Sequence, residues 1–507
     1  SGRQGHSNDG NYNESDTTGS GGWQVTIYPK FGGLRKGEKF VHIIMVGSRQ
    51  TLFRTNMGGL FGLGYNAYGS SGVGDTTGRP MLCRMQYFDE NDLFVLNVCG
   101  TKAHYNDTGH GYPTCYAICA KKGAGTTEGI PNYEWRGLYA WGQNDVGKVG
   151  NGNTTDQHTP TRCSNIPAQV QQMASGGGGL YTQLLATTDD TSRSQEDGNR
   201  TAWTWGGNEH GFGDGTSSKS ETSPGNYGLN FDDAHDVAWI ENSGGDLDSG
   251  NGDYSTLQFF LTSTGKAWVA GRNNNGQAGT GNTGDISTWA HSGGTLRFRE
   301  LWTNHKTSWG LTGVPGTGHH GQTWGSWGLP ATQYACGYNG YHETYSSNTS
   351  VQTTWQTQPN QLSEYTYDVN GDAVLFPKDR IVHIPIDTAL NQHVSLAVDE
   401  NGNVWVWGHD DDFDFSFGES GNSLQYPNMI CTQLGMVTQY EDGVHNLGGS
   451  GRYPVIIYTR NNANRSSLII QDNLGSIYAM GPNNYETNSK GQQGDTRGLG
   501  MYTNDVS

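Results

Sequence analysis

The chain of 507 residues carries 48 acidic against 30 basic side chains, a net charge of −18, while charged residues make up only 15% of it. Nucleic-acid binding draws affinity from Lys and Arg that neutralise phosphates, so this balance argues against a nucleic-acid partner. No stretch reaches the ~20 apolar residues of a membrane-spanning helix.

Residues 1–22 are polar and glycine-rich, show no secretory signal, and read as a flexible leader or linker. From residue 23 to 507 one short phrase recurs: glycine, any residue, then asparagine or aspartate. It stands at Gly64-Tyr65-Asn66, Gly142-Gln143-Asn144, Gly206-Gly207-Asn208, Gly271-Arg272-Asn273, Gly337-Tyr338-Asn339, Gly408-His409-Asp410 and Gly481-Pro482-Asn483. Recurrence at a near-fixed period marks one supersecondary unit copied along the chain. Each phrase closes an apolar run rich in β-branched and aromatic residues, such as Leu138-Tyr139-Ala140-Trp141 or Val404-Trp405-Val406-Trp407. Such a run predicts a short strand buried on both faces. In four copies a glycine lies six residues ahead (Gly58, Gly265, Gly402, Gly475), which predicts a hairpin turn before that strand. A glycine-rich loop follows, as in Gly147-Lys148-Val149-Gly150-Asn151-Gly152 running on to Pro160. It lacks the Gly-Lys-Ser/Thr and helix of a phosphate-binding loop and predicts a compact turn packed on the neighbouring repeat.

Leu138 to Pro160 resembles the repeat of the regulator-of-chromosome-condensation family almost throughout. The copies at Gly206 and Gly271 match well, those at Gly64, Gly408 and Gly481 match in part, and Gly337 is degenerate. The resemblance implies an all-β fold: a single seven-bladed β-propeller of four-stranded blades with repeats of about 65–75 residues. The residues before the first motif glycine and after the last add up to about one more repeat. The closing blade is therefore expected to join strands from residues 24–63 with the segment after Gly481. The motif residues Gly64, Gly142, Gly206, Gly271, Gly337, Gly408 and Gly481 are expected to be structural. Asn144, Asn208 and Asn273 are expected to cap local backbone groups.

Departures from the repeat locate what is private to this chain. Residues 121–137 and 189–200 lengthen two hairpins. The largest irregular stretch spans about 283–370 and is expected to be a long insertion; removal of 295–325 is expected to leave the fold intact. Its Trp302, Trp309, His319, His320, Trp324 and Trp327 form the candidate binding surface, because loops on a rigid scaffold carry recognition and aromatics anchor contacts. The competing reading places most of these tryptophans in a blade core.

No catalytic set emerges: there is no nucleophile elbow and no His-Glu-x-x-His. The seven cysteines, Cys83, Cys99, Cys115, Cys119, Cys163, Cys336 and Cys431, make no disulfide framework, and Cys115 and Cys119 have no second pair to complete a zinc site. The run from His409 to Asp414 lacks the glycine and terminal glutamate of a calcium loop. No cofactor, no metal and no enzymatic activity are expected. The Gly/Asn/Thr-rich, weakly charged texture resembles phage fibre and appendage proteins. It implies a virion structural or adhesion protein that binds other virion or surface proteins, a host glycan or a receptor, within a larger assembly. The alternatives are a secreted or cell-surface glycan-binding adhesin, and a guanine-nucleotide exchange factor or signalling scaffold.

Overall fold

The computed structural model describes the chain from residue 33 to 502. Residues 1–32 and 503–507 lie outside the described residues, as do internal stretches, the longer being 102–112, 177–182, 190–199, 244–256, 314–329, 385–393, 410–422, 447–453 and 481–498. The chain divides into two compact units, Ser1–Thr256 and Leu257–Ser507. Both are built almost wholly of antiparallel strands.

Unit 1 holds three four-stranded sheets. The first is β1 (Phe40–Val46), β2 (Gln50–Thr55), β3 (Leu60–Gly64) and β4 (Arg79–Arg84). A single helix turn, α1 (Gln86–Glu90), leads to the second: β5 (Phe94–Gly100), β6 (Thr114–Thr127), β7 (Ile130–Gly142) and β8 (Gln157–Arg162). The third is β9 (Val170–Ser175), β10 (Gln183–Asp189), β11 (Arg200–Asn208) and β12 (Lys219–Gly225), and β13 (Val237–Asn242) lies against it. The expected lengthening at 121–137 is taken up by the strands themselves: β6 and β7 run on as one long hairpin.

Alternation along β6 shows why these runs are apolar on both faces. Cys115, Ala117 and Cys119 enter one core with Val46, Leu52, Phe88 and Trp141. Tyr116 and Ile118 enter another with Val149, Val170 and Trp205. Successive strand residues point to opposite faces, so one sheet fills two cores.

Unit 2 opens with β14 (Leu257–Thr262), β15 (Ala267–Gly271) and β16 (Ile286–Ser292), followed by β17 (Phe298–Thr303), β18 (Thr307–Thr312), β19 (Gln333–Gly337) and β20 (Gln352–Thr357). Next come β21 (Leu362–Tyr367), β22 (Ala373–Leu375), β23 (Ile381–His383), β24 (Val394–Asp399), β25 (Val404–His409), β26 (Ser423–Thr432), β27 (Gly435–Tyr440) and β28 (Gly443–Asn446). Last are β29 (Pro454–Asn462), β30 (Arg465–Asp472), β31 (Ile477–Met480) and β32 (Leu499–Tyr502).

The architecture is all-β with propeller-type blades, but it corrects the expectation of seven like blades. Unit 1 repeats the four-stranded sheet three times and unit 2 has it again in β17 to β20, and then the rule breaks. A two-stranded sheet, β21-β22, and a six-stranded sheet, β23 to β28, come before the four-stranded β29 to β32. The physical reason is that the glycine phrase marks where one strand ends and does not count the strands that pair beyond it. Gly408 ends its apolar run in β25, yet β26, β27 and β28 continue the sheet. The mixed closing blade is likewise corrected. The first sheet takes all four strands from Phe40–Arg84, and the last takes all four from Pro454–Tyr502.

The stretch 283–370 contains β16 to β21 as regular strands. β17 and β18 fall inside 295–325 and are buried along nearly their whole length, so removing that segment would take two strands out of a sheet.

Candidate interaction site

Six motif glycines stand in one backbone state. Gly64, Gly142, Gly206, Gly271, Gly337 and Gly408 have φ between 101° and 128°, where a side chain is strained. In every case the pairing register with the next strand shifts just before the glycine, for example between Ala140 and Gly142 against β8. The glycine is thus a bulge at or within two residues of the strand's end. A Cβ on Gly142 would overlap the Pro113 carbonyl oxygen, and one on Gly337 the Lys306 carbonyl oxygen. Gly481 lies outside the described residues.

Two residues on, a buried asparagine organises the loop. The Asn144 side-chain amide donates to the carbonyls of Asn153 at 2.9 Å and Thr155 at 3.0 Å, and its Oδ1 accepts the Val149 N–H at 2.8 Å. Asn66 makes the same three bonds, to Asp75 O, Thr77 O and Ser71 N–H. Asn273 repeats them with Asn282 O, Gly284 O and Ala278 N–H. Asn339 accepts the Thr344 N–H at 2.8 Å. All four asparagines are fully buried. One side chain therefore satisfies backbone groups across a loop of twelve residues. The side chain of Asn208 lies outside the described residues.

The loop is then fixed to the following sheet of the same unit. Trp141 Nε1 donates to Ser70 O at 2.9 Å, and Trp205 Nε1 to Lys148 O at 2.9 Å. Trp407 Nε1 donates to Glu343 O at 3.2 Å, and Cys336 Sγ stands 3.4 Å from Gln277 O. Each acceptor is four residues past a motif asparagine, and each donor side chain immediately precedes the next motif glycine. A second backbone tie follows: Gly74 N–H to His158 O, Gly152 N–H to Thr222 O and Gly281 N–H to Thr353 O.

Held this way, each loop presents one short exposed tip. The tips are Asp75-Thr76-Thr77-Gly78, Asn153-Thr154-Thr155-Asp156 and Asn282-Thr283-Gly284-Asp285. In each the first side chain accepts the N–H two residues on: Thr77 to Asp75 at 2.9 Å, Thr155 to Asn153 at 2.9 Å, Gly284 to Asn282 at 3.1 Å. Thr76, Thr154 and Thr283 project from a fixed backbone with free hydroxyl groups as donors and acceptors. Sequence reasoning missed these tips. Their signal is an Asp or Asn nine residues after the motif asparagine, followed by threonine.

Of the six expected binding residues, the structure describes Trp302 and Trp309. Trp302 and Trp309 face each other across β17 and β18 and are 6% and 0% exposed; Trp309 Nε1 donates to Ser395 Oγ at 2.9 Å. They belong to a sheet core and are not offered to a partner. His319, His320, Trp324 and Trp327 lie outside the described residues, as do Asp410 to Asp414.

The buried ionisable groups serve packing. Burial pulls the Lys148 amine below the usual lysine value, against the pull of Asp145, and Nζ donates to Gln143 Oε1 at 2.8 Å. Burial pushes the Cys115 and Cys119 thiols well above the usual thiol value. Among the described residues no group of three His, Cys, Asp or Glu stands together as a metal site. Among them, too, no helix is long and apolar enough to cross a membrane.

Residues 137–179 match the Regulator of chromosome condensation (RCC1) repeat. The Ultraviolet-B receptor UVR8 of Arabidopsis thaliana is 26% identical over 181 residues, 30% of this chain and 40% of the receptor, so the chain spans less than half of that relative's length. Prp20p of Saccharomyces cerevisiae is 16% identical over 79% of this chain and 79% of that chain, with a TM-score of 0.47. Human WBSCR16 is 16% identical over 80% of this chain and 84% of that chain, with a TM-score of 0.49. The matched segment holds Gly142, Asn144, the Lys148 loop and the Asn153 tip together, and the chain carries the RCC1 repeat.

Proposed function

We propose that the chain is a non-catalytic binding module for protein partners, built into a larger assembly of the kind a virus particle uses for structure or attachment. The observation that carries this reading is the set of exposed Asn/Asp-Thr tips, each held at the same place in its own sheet by a buried asparagine. A pre-ordered loop loses little conformational entropy on binding, so a few hydrogen bonds per tip yield net affinity. Recognition by hydroxyl and amide groups also suits a surface with few charges. The Gly/Asn/Thr-rich composition and the low charged fraction support placement in a particle.

The test replaces Thr76, Thr154 and Thr283 together by lysine. All three are exposed, so the fold should be kept. Incorporation of the variant into the native assembly should fall by at least about tenfold, the loss of about 1.4 kcal/mol or more. Undiminished incorporation with an unchanged melting transition would sink the reading. Turnover of a polysaccharide or nucleotide by the purified protein would remove its non-catalytic part.

A further inference from the structure

Two tyrosines and two arginines meet on one face of the second sheet. Tyr139 of β7 is the direct cross-strand partner of Arg162 of β8, and directly opposed residues of an antiparallel pair point to the same side. From α1, Tyr87 reaches the same place: its ring stands 6.2 Å from that of Tyr139, tilted by 60°. Both tyrosines pack on the core that holds Phe88, Cys119 and Trp141, and both stay half-exposed.

A bulge brings in the fourth side chain. Cys119 pairs with Gly137 but Ala120 pairs with Trp135, so Arg136 is the extra residue of β7. Leu138 and Trp135 accordingly pack on one and the same core although an odd number of positions separates them, and Arg136 is left on the side of Tyr139. Burial pushes the Tyr139 hydroxyl up, Cys119 and Tyr87 add to this, and the charges of Arg162 and Arg136 pull against it. Burial and then Cys119 raise Tyr87 in the same way. Both hydroxyls therefore stay protonated at neutral pH and can donate as well as accept.

The chain itself leaves part of this group unused. Among the described residues no carboxylate pairs with Arg162, which is exposed, and no hydrogen bond engages either tyrosine hydroxyl. The acids nearby are already taken: Glu134 pairs with Arg136 at 2.9 Å, Asp92 with Lys121 at 2.8 Å, and Asp89 with both Arg84 and Arg35. An open guanidinium fork fits a carboxylate, and a half-exposed tyrosine offers an apolar ring with a polar tip.

We propose that this face binds an acidic saccharide, a sugar ring that carries a carboxylate. Arg162 takes the carboxylate, the rings of Tyr87 and Tyr139 lie against the C–H face of the sugar, and their hydroxyls bond to the hydroxyl groups of the ligand. The tyrosine pair is what favours a sugar over an acidic peptide. A sugar ring supplies an apolar face and hydroxyls in one unit, whereas an Asp or Glu side chain supplies the carboxylate alone. The site is separate from the loop tips and is tested without them.

The experiment is titration calorimetry of the full chain with a glucuronate-containing tetrasaccharide, with its methyl ester, and with a short polyglutamate peptide. The acid form should bind, and the ester and the peptide should each bind at least about tenfold more weakly. Arg162→Gln should weaken binding of the acid form by at least about tenfold, and Tyr87→Phe with Tyr139→Phe by about threefold or more, since only hydroxyls are lost. An exposed arginine and two retained rings should leave the melting transition unchanged. If Arg162→Gln fails to fold, the comparison of acid and ester on the wild-type chain decides the matter. No binding of the acid form overturns the proposal. So does equal binding of the ester or the peptide, or wild-type affinity in a folded Arg162→Gln.

Discussion

Trp205 Nε1 donates to the Lys148 carbonyl oxygen at 2.9 Å, and Tyr116 Oη donates to the same oxygen at 2.9 Å. At the corresponding carbonyl of Ser70, Trp141 Nε1 donates at 2.9 Å and the Cys115 thiol lies beside it, Sγ at 3.5 Å. The two ties therefore differ in the donor beside the indole, a phenol at Lys148 and a thiol at Ser70. Trp205→Phe leaves the Tyr116 hydroxyl on its acceptor and should cost about 1 kcal/mol, whereas Trp141→Phe exchanges the stronger indole donor for the neighbouring thiol and should cost about 2 kcal/mol. Urea midpoints at unchanged slope measure both, and equal costs would contradict the assignment.

Gly142 and Gly281 separate strain from overlap. Both have positive φ, 105° and 90°, but a Cβ on Gly281 meets nothing while one on Gly142 meets backbone. Gly281→Ala should lose about 1 kcal/mol through conformation alone, and Gly142→Ala should lose about 3 kcal/mol or more. Thermal unfolding of the two variants side by side reads the difference.

Asn144 tests the loop scaffold. Its amide nitrogen donates to two carbonyls, so Asn144→Asp places a carboxylate oxygen against the Asn153 and Thr155 carbonyls. Asn144→Asp should be at least as damaging as Asn144→Ala, which should cost about 2 kcal/mol. Amide exchange at 145–156 should speed up in both.

Acid should loosen the contacts that hold Glu38. Burial works to raise the Glu38 carboxyl, but Arg84, the Arg35 N–H and the Thr55 hydroxyl outweigh it and hold it below its ordinary 4.5. A depressed carboxylate adds stability that is present above 4.5 and lost as pH falls through its folded value. Asp75, held down by the Thr77 N–H and Arg79 against its own burial, adds a loss of the same sign. Glu38→Gln should flatten the acid limb of the stability curve below pH 4.5, measured by denaturant midpoint against pH.

What the sequence made legible is what local chemistry dictates. Positive φ favours glycine, so the motif glycines, with φ from 101° to 128°, and the turn glycines Gly58 and Gly265, at 76° and 81°, announce themselves. The loop asparagines are legible for the same reason: their partners lie within eleven residues. The sheets were not legible in full, because strand number depends on pairing between distant segments. β26 reads like any closing strand, yet it accepts β27 on its far side. Trp302 and Trp309 show the other limit. Aromatics in a poorly matching repeat look the same in sequence whether they fill a core or meet a partner, and only the cross-strand register separates the two. The tips were overlooked because threonine and asparagine are common throughout the chain, and their meaning comes from a fixed offset to the motif asparagine.

Hydrogen exchange of the full chain, free and within the proposed assembly, locates the surface that makes the contact. Protection on assembly should concentrate at 75–78, 153–156 and 282–285, with the buried strands β15 and β19 unchanged. Protection confined to other surfaces, with all three tips exchanging as fast as in the free protein, would contradict it.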